Sequence, residues 1–175
     1  MKKIFMIALL AVVAMGVSAQ TGIRVWYGAN VAGNDADGTK SEFKPLNIGV
    51  DYTAPIADAF DWSAGVSYQT KGFELEGIDK GFDLGYIQIE ANGAWNFVKS
   101  GDFKANIFTG PSIGFMVSDD DLEDTKSVDF GWQGGLQGYY KNVSLKVGYE
   151  YGFLDVVKEI DSKPWQVFFR LGYTF

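Results

Sequence analysis

The stretch Trp165-Gln166-Val167-Phe168-Phe169-Arg170-Leu171-Gly172-Tyr173-Thr174-Phe175 decides the fold. Trp165, Val167, Phe169, Leu171, Tyr173 and Phe175 occupy every second position. Gln166, Phe168, Arg170, Gly172 and Thr174 fall between them, with Phe168 the one apolar intruder. Side chains of a β-strand point alternately to its two faces, so this run is a strand with one greasy side and one polar side. A helical period of 3.6 would spread the same apolar residues around the whole cylinder.

Upstream the pattern recurs seven times. Ile23, Val25, Tyr27, Ala29 and Val31 alternate with Arg24, Trp26, Gly28 and Asn30, and Leu46, Ile48, Val50 and Tyr52 with Asn47, Gly49 and Asp51. Phe60, Trp62, Ala64, Val66 and Tyr68 oppose Asp61, Ser63, Gly65, Ser67 and Gln69, and Ile87, Ile89, Ala91, Trp95 and Phe97 oppose Gln88, Glu90, Asn92 and Asn96. Three more runs, at 103–115, 128–140 and 143–153, behave alike. Eight strands of about ten residues each match the length that crosses a bilayer at a tilt of about 45°. Long polar connections are expected at 32–42, 70–80, 119–126 and 155–163, and short ones at 54–58, 98–102 and 141–142. An even, up-and-down barrel with long outer loops and short periplasmic turns has this rhythm.

The chain begins with Lys2 and Lys3 before an apolar run that ends at Val17-Ser18-Ala19. This is the pattern of a cleaved export signal, with Ala19 and Gln20 flanking the cut, so residues 1–19 are expected to be removed and 20–175 to form one domain. Loss of the two lysines takes the formal charge from −7 to −9. A negative chain without clustered Lys and Arg is not a nucleic-acid binder. No later segment has the run of apolar residues a membrane helix needs, so a membrane-inserted form must be a closed barrel in which pairing satisfies every backbone group.

Alternation alone leaves the inside undecided between a lipid-facing barrel and a soluble, lipocalin-like cup. Side-chain size separates them. The polar face carries Gly28, Gly49, Gly65, Gly110, Gly114, Gly131, Gly135, Gly148, Gly152 and Gly172. Glycine weakens a solvent-facing strand, whereas the crowded interior of an eight-stranded barrel requires small residues beside large ones. The polar face is therefore expected inside.

The signal ending in Ser18-Ala19-Gln20, the segments Tyr86-Ile87-Gln88-Ile89-Glu90 and Thr109-Gly110-Pro111-Ser112-Ile113-Gly114, and the terminal Leu171-Gly172-Tyr173-Thr174-Phe175 carry a resemblance. The chain resembles the small outer-membrane β-barrels of the OmpX and OmpA type, and particularly the porin-family barrels of Bacteroidetes. That resemblance implies an all-β, eight-stranded antiparallel transmembrane barrel in the outer membrane of a Gram-negative cell. It also implies that Leu171, Tyr173 and Phe175 form the signal read by the barrel assembly machinery. It implies little about activity, because one fold hosts many roles.

The expected lumen holds Arg24, Lys104, Lys146 and Arg170 against Asp51, Asp61, Glu90, Asp129 and Glu150. Counting from the turns puts Lys146 in the periplasmic half with Arg24, Lys104, Asp51 and Asp61. Glu90, Glu150 and Arg170 fall near mid-barrel, with Glu150 on the strand next to Arg170. Buried charge must be paired, so Arg24, Glu90, Lys104, Lys146, Glu150 and Arg170 are expected to form an ion network that plugs the interior. A narrow ion or proton path is the alternative. The acidic run Asp119-Asp120-Asp121-Leu122-Glu123-Asp124 lacks the spacing and central glycine of a calcium loop and reads as a solvated outer loop. Histidine and cysteine are absent, which excludes Ser-His and Cys-His nucleophiles, His/Cys metal sets and disulfides. The expectation is a barrel with a structural or surface-interaction role and no cofactor, with a narrow channel or transporter for small solutes as the alternative. Its partners would be outer-membrane lipid, lipopolysaccharide, the assembly machinery and a surface partner met by the acidic loops.

Overall fold

The computed structural model describes residues 22–36, 38–75, 81–118, 127–155 and 162–175. The export segment with Ala19 and Gln20, and the acidic run from Asp119 to Asp124, lie outside the described residues. Eight strands follow in order: β1 (Gly22–Asn34), β2 (Thr39–Ala57), β3 (Phe60–Leu75), β4 (Gly81–Ser100), β5 (Phe103–Ser118), β6 (Val128–Tyr140), β7 (Val143–Gly152) and β8 (Pro164–Thr174). Each pairs antiparallel with the next. β1 also pairs with β8, from Arg24 opposite Thr174 to Asn34 opposite Pro164, which closes the barrel. Both described chain ends lie with the short turns at one end.

Alternation places the faces as glycine size requires. Arg24 and Glu150 are buried at 2% and 1% exposure, whereas Phe169 and Leu171 are exposed at 49% and 60%. The apolar side faces outward, so a ligand cup with a greasy interior is excluded. Glycines make room for the rings inside: a methyl on Gly49 would lie 2.5 Å from Trp26, and one on Gly148 would lie 2.5 Å from Phe168 and 2.9 Å from Phe108. The outward belt has aliphatic residues at its waist, where Val25, Val50, Val66, Ile89 and Ile113 are successive cross-strand partners. Aromatic residues crowd its rims. Trp132, Tyr151 and Trp165 share a row toward the long loops, and Phe60 opposite Trp95 and Phe103 opposite Tyr140 lie toward the short turns.

Several strands outrun the expected ten residues. β2 begins at Thr39 rather than Leu46, β3 continues to Leu75, and β4 begins at Gly81. Polar composition suggested loops there, yet the ladder runs on from Gln69 opposite Tyr86 to Glu74 opposite Gly81. Backbone pairing does not depend on side-chain polarity. In β2 the ladder to β1 skips Pro45 and Leu46, and the ladder to β3 breaks between Ser41 and Asn47. Proline has no N–H to donate and is confined to bulges and edges. Tyr27 Oη donates to the Pro45 carbonyl at 2.5 Å, and Thr70 Oγ1 donates to that of Leu46 at 3.3 Å. Below this bulge odd-numbered residues of β2 such as Asn47 and Asp51 are buried; above it the even-numbered Lys44 is.

Candidate functional site: the lumen

All nine charged residues expected in the lumen face the interior and are buried. At the short-turn end Arg24 meets Asp51 at 2.5 Å and Lys104 meets Asp61 at 2.8 Å. The Tyr139 ring serves both cations, 4.4 Å from Lys104 Nζ and 5.9 Å from the Arg24 guanidinium carbon.

At mid-barrel Arg170 Nη1 donates to both oxygens of Glu90, at 2.9 and 2.7 Å, and Lys146 Nζ donates to the same carboxylate at 3.2 Å. The guanidinium lies between two rings, 4.2 Å from Trp26 and 4.2 Å from Phe168. Lys146 stands 4.2 Å over Phe108, which in turn packs on Phe168 at 6.3 Å between centroids. A cation held against aromatic faces away from water gains about 2 kcal/mol or more. This group brings three charges and three rings together at mid-barrel.

Toward the long loops Lys71 bridges Asp129 at 3.1 Å and Glu150 at 2.8 Å, with the Tyr86 ring 5.2 Å away. Gln88 Nε2 donates to Glu150 at 2.7 Å, and Gln166 Nε2 donates to Glu150 at 3.1 Å and to Gln69 at 2.9 Å. Asn30 donates to Gln166 and, at 3.1 Å, to the Thr70 carbonyl. At the mouth Lys44 pairs with Glu42 at 2.7 Å and with Asp83.

Two expectations of position are corrected. Lys146 is opposite Arg170 in the β7–β8 ladder, so it belongs to the middle of the barrel and not to the periplasmic half. Glu150 is opposite Gln166, four residues from the Arg170 level, and its cation is Lys71, a residue assigned to a loop on the strength of its polar surroundings. Lys71 also completes the charge count. With it, among the described residues and below the mouth where Lys44 sits, the interior has Arg24, Lys71, Lys104, Lys146 and Arg170 against Asp51, Asp61, Glu90, Asp129 and Glu150, an even balance. The balance is not uniform along the axis: the Glu90 group has one excess positive charge, and the Lys71 group one excess negative charge.

The interior rings Tyr86, Phe108 and Tyr139 went unassigned in the sequence, although parity could have found them. Phe108 lies two residues beyond Asn106, Tyr86 two before Gln88, and Tyr139 two after Gln137, each on the lumen phase of its strand.

No protein-family model matches the sequence, and no curated protein is significantly similar to it. Solved structures are similar in shape. Ail, the attachment invasion locus protein of Yersinia pestis, has a TM-score of 0.51 at 17% identity, over 87% of this chain and 97% of Ail. Neisserial surface protein A (NspA) has a TM-score of 0.55 at 18% identity, over 87% and 97%. The outer-membrane enzyme PagL has a TM-score of 0.57 at 13% identity, over 87% and 99%. The fold is that of a small outer-membrane β-barrel. At these identities the likeness is one of architecture and transfers no activity.

Proposed function

We propose that this chain is an integral outer-membrane barrel of the OmpX and Ail type with a structural or surface-interaction role, exported by its N-terminal segment and closed along its axis. One observation carries the reading: a continuous apolar belt faces outward while Arg24, Lys71, Lys104, Lys146 and Arg170 each have both a carboxylate partner and an aromatic face in the interior. Exposed apolar surface on this scale is foreign to soluble monomers and suits hydrocarbon. The buried Arg170, Glu90 and Lys146 group at mid-barrel supports the closed reading. Catalysis is not part of the reading, even with an enzyme among the similar folds, because histidine and cysteine nucleophile systems are missing from the chain. Ail has been solved with the heparin analogue sucrose octasulfate. The net negative charge of this chain and its acidic loop sequence instead favour a cationic surface partner.

The test has two parts. Fractionated cells should hold the protein in the outer membrane, and the refolded barrel should give no steady current across a planar bilayer. Recovery in the soluble periplasm overturns the location, and a steady current overturns the plug. A narrow, hydrated path is the second reading, favoured by Asn96 Nδ2, Asn106 Oδ1 and Gln137 Nε2, buried amide atoms on neighbouring strands without a protein partner. It predicts that steady current.

A further inference from the structure

Toward the long loops the lumen gathers buried oxygens that lack a hydrogen-bond partner among the described residues. Glu150 Oε2 accepts from two amide nitrogens, Gln88 Nε2 at 2.7 Å and Gln166 Nε2 at 3.1 Å. The carboxylate fixes how each amide turns, because it takes donors only. Gln88 Oε1 is therefore the end left over, and it is unpartnered. Gln133, opposite Glu150 in the β6–β7 ladder, donates its nitrogen to Asn92 at 3.1 Å, and its Oε1 is likewise unpartnered. Asp129 offers Oδ2 to Lys71, while its Oδ1 has no partner. All three side chains are more than nine-tenths buried. The unmet atoms of Gln88, Gln133 and Asp129 are acceptors without exception.

The charge of this level asks for the same thing. Lys71 bridges Asp129 and Glu150, so two carboxylates share one ammonium. The surplus cation of the Glu90 group lies at the Arg170 level, four residues along β8 from Gln166. That is about 14 Å at roughly 3.4 Å per residue, too far to bond these oxygens. We propose that the lumen holds one alkali cation beside Glu150, between Asp129 and the amide oxygens of Gln88 and Gln133. Carboxylate and carbonyl oxygens suit hard cations. One unit of positive charge is wanting. A divalent ion would overshoot it and takes about 6–8 oxygens. Among the described residues no group of three or more acidic, histidine or cysteine ligands is assembled to hold one. A water molecule would hydrogen-bond here but bring no charge to a buried carboxylate that needs it. Gly114 stands between Gln88 and Asp129 in the row joining β4, β5 and β6, and puts no side chain between them. Of the levels in the lumen this one is next to the mouth, and an acidic chain concentrates cations there. The site goes beyond the structural role proposed above and does not depend on whether the axis conducts.

The experiment unfolds the full mature chain, refolded in an uncharged detergent, with urea in sodium, potassium or choline chloride at equal ionic strength. Choline is too bulky for so crowded an interior. The parent should have a higher midpoint in sodium or potassium than in choline, rising to saturation with concentration. At a hundred times its dissociation constant the cation should favour the folded form about 100-fold. Asp129→Asn keeps the shape and leaves Lys71 paired one to one with Glu150. It should fold in choline with a midpoint no lower than the parent's and should lose the response to sodium and potassium. Gln88→Lys carries its own ammonium to Glu150, so it should raise the choline midpoint and lose the response as well. Asp102→Asn makes the same charge change in an exposed short turn and should respond as the parent does. Equal parent midpoints in all three salts, a response retained by Asp129→Asn, or an Asp129→Asn less stable than the parent in choline overturns the proposal.

Discussion

Replacing Arg170 by alanine strikes the middle of the barrel, and its cost follows from the contacts. The side chain is buried, makes two charge-assisted hydrogen bonds to Glu90, and stacks between Trp26 and Phe168 at 4.2 Å each. Hydrogen bonds to charged groups contribute about 1.5–3 kcal/mol each and a desolvated cation–π contact about 2 kcal/mol, and such terms overlap rather than add. Glu90 keeps Lys146 at 3.2 Å, so its charge is not left without a partner. The loss should therefore fall at about 3 kcal/mol, the low end of the range for breaking a buried pair and leaving its partner uncompensated. With a urea slope of about 1–3 kcal/mol per molar, the unfolding midpoint of the refolded barrel should drop by roughly 1–3 M. Two companions separate charge from packing. Arg170→Met keeps most of the volume and should recover part of the loss. Glu90→Gln leaves two cations facing each other without an anion and should be the most damaging of the set. An unchanged midpoint for Arg170→Ala, or a Glu90→Gln milder than Lys146→Met, would refute the reasoning.

Three further outcomes are expected. Lys71→Met leaves Asp129 and Glu150 without their cation and should cost about 3–5 kcal/mol in the same urea assay, against almost nothing if residue 71 belonged to a solvated loop. Gly148→Ala drives a methyl into Phe168 and Phe108 and should cost about 1–3 kcal/mol from overpacking, read from the unfolding midpoint. Phe175→Ala should reduce the heat-modifiable folded protein recovered from cells while leaving refolding from urea intact; equal losses in both would mean that Phe175 acts on stability and not on assembly.

How much was legible follows from what sets each feature. Alternation over Trp165 to Phe175 is a direct print of two chemically different surroundings, so strand number, direction and facing could be read at once. The short link at Lys141 and Asn142 was placed where it stands because apolar residues flank it closely on both sides. Strand extensions beyond the belt were hidden. Residues such as Lys71 and Lys44 no longer have lipid on one side, so composition stops reporting pairing while the ladder continues. Which charge meets which was hidden too, because it depends on register between strands distant in sequence. Glu150 and Lys71 are 79 positions apart, and Arg170 and Glu90 are 80. Aromatic rings inside the lumen broke the rule that greasy means outward, and only strict parity would have recovered them.

The interruption at Pro45 has an evolutionary consequence. It works as a phase shifter: the reading frame of inward and outward positions in β2 is set separately on its two sides. A one-residue insertion or deletion beyond it need not propagate into the bilayer segment, whose frame is anchored by Asn47 and Asp51. The portion of that hairpin beyond the bulge can thereby change length without moving the inward and outward frame set by Asn47 and Asp51.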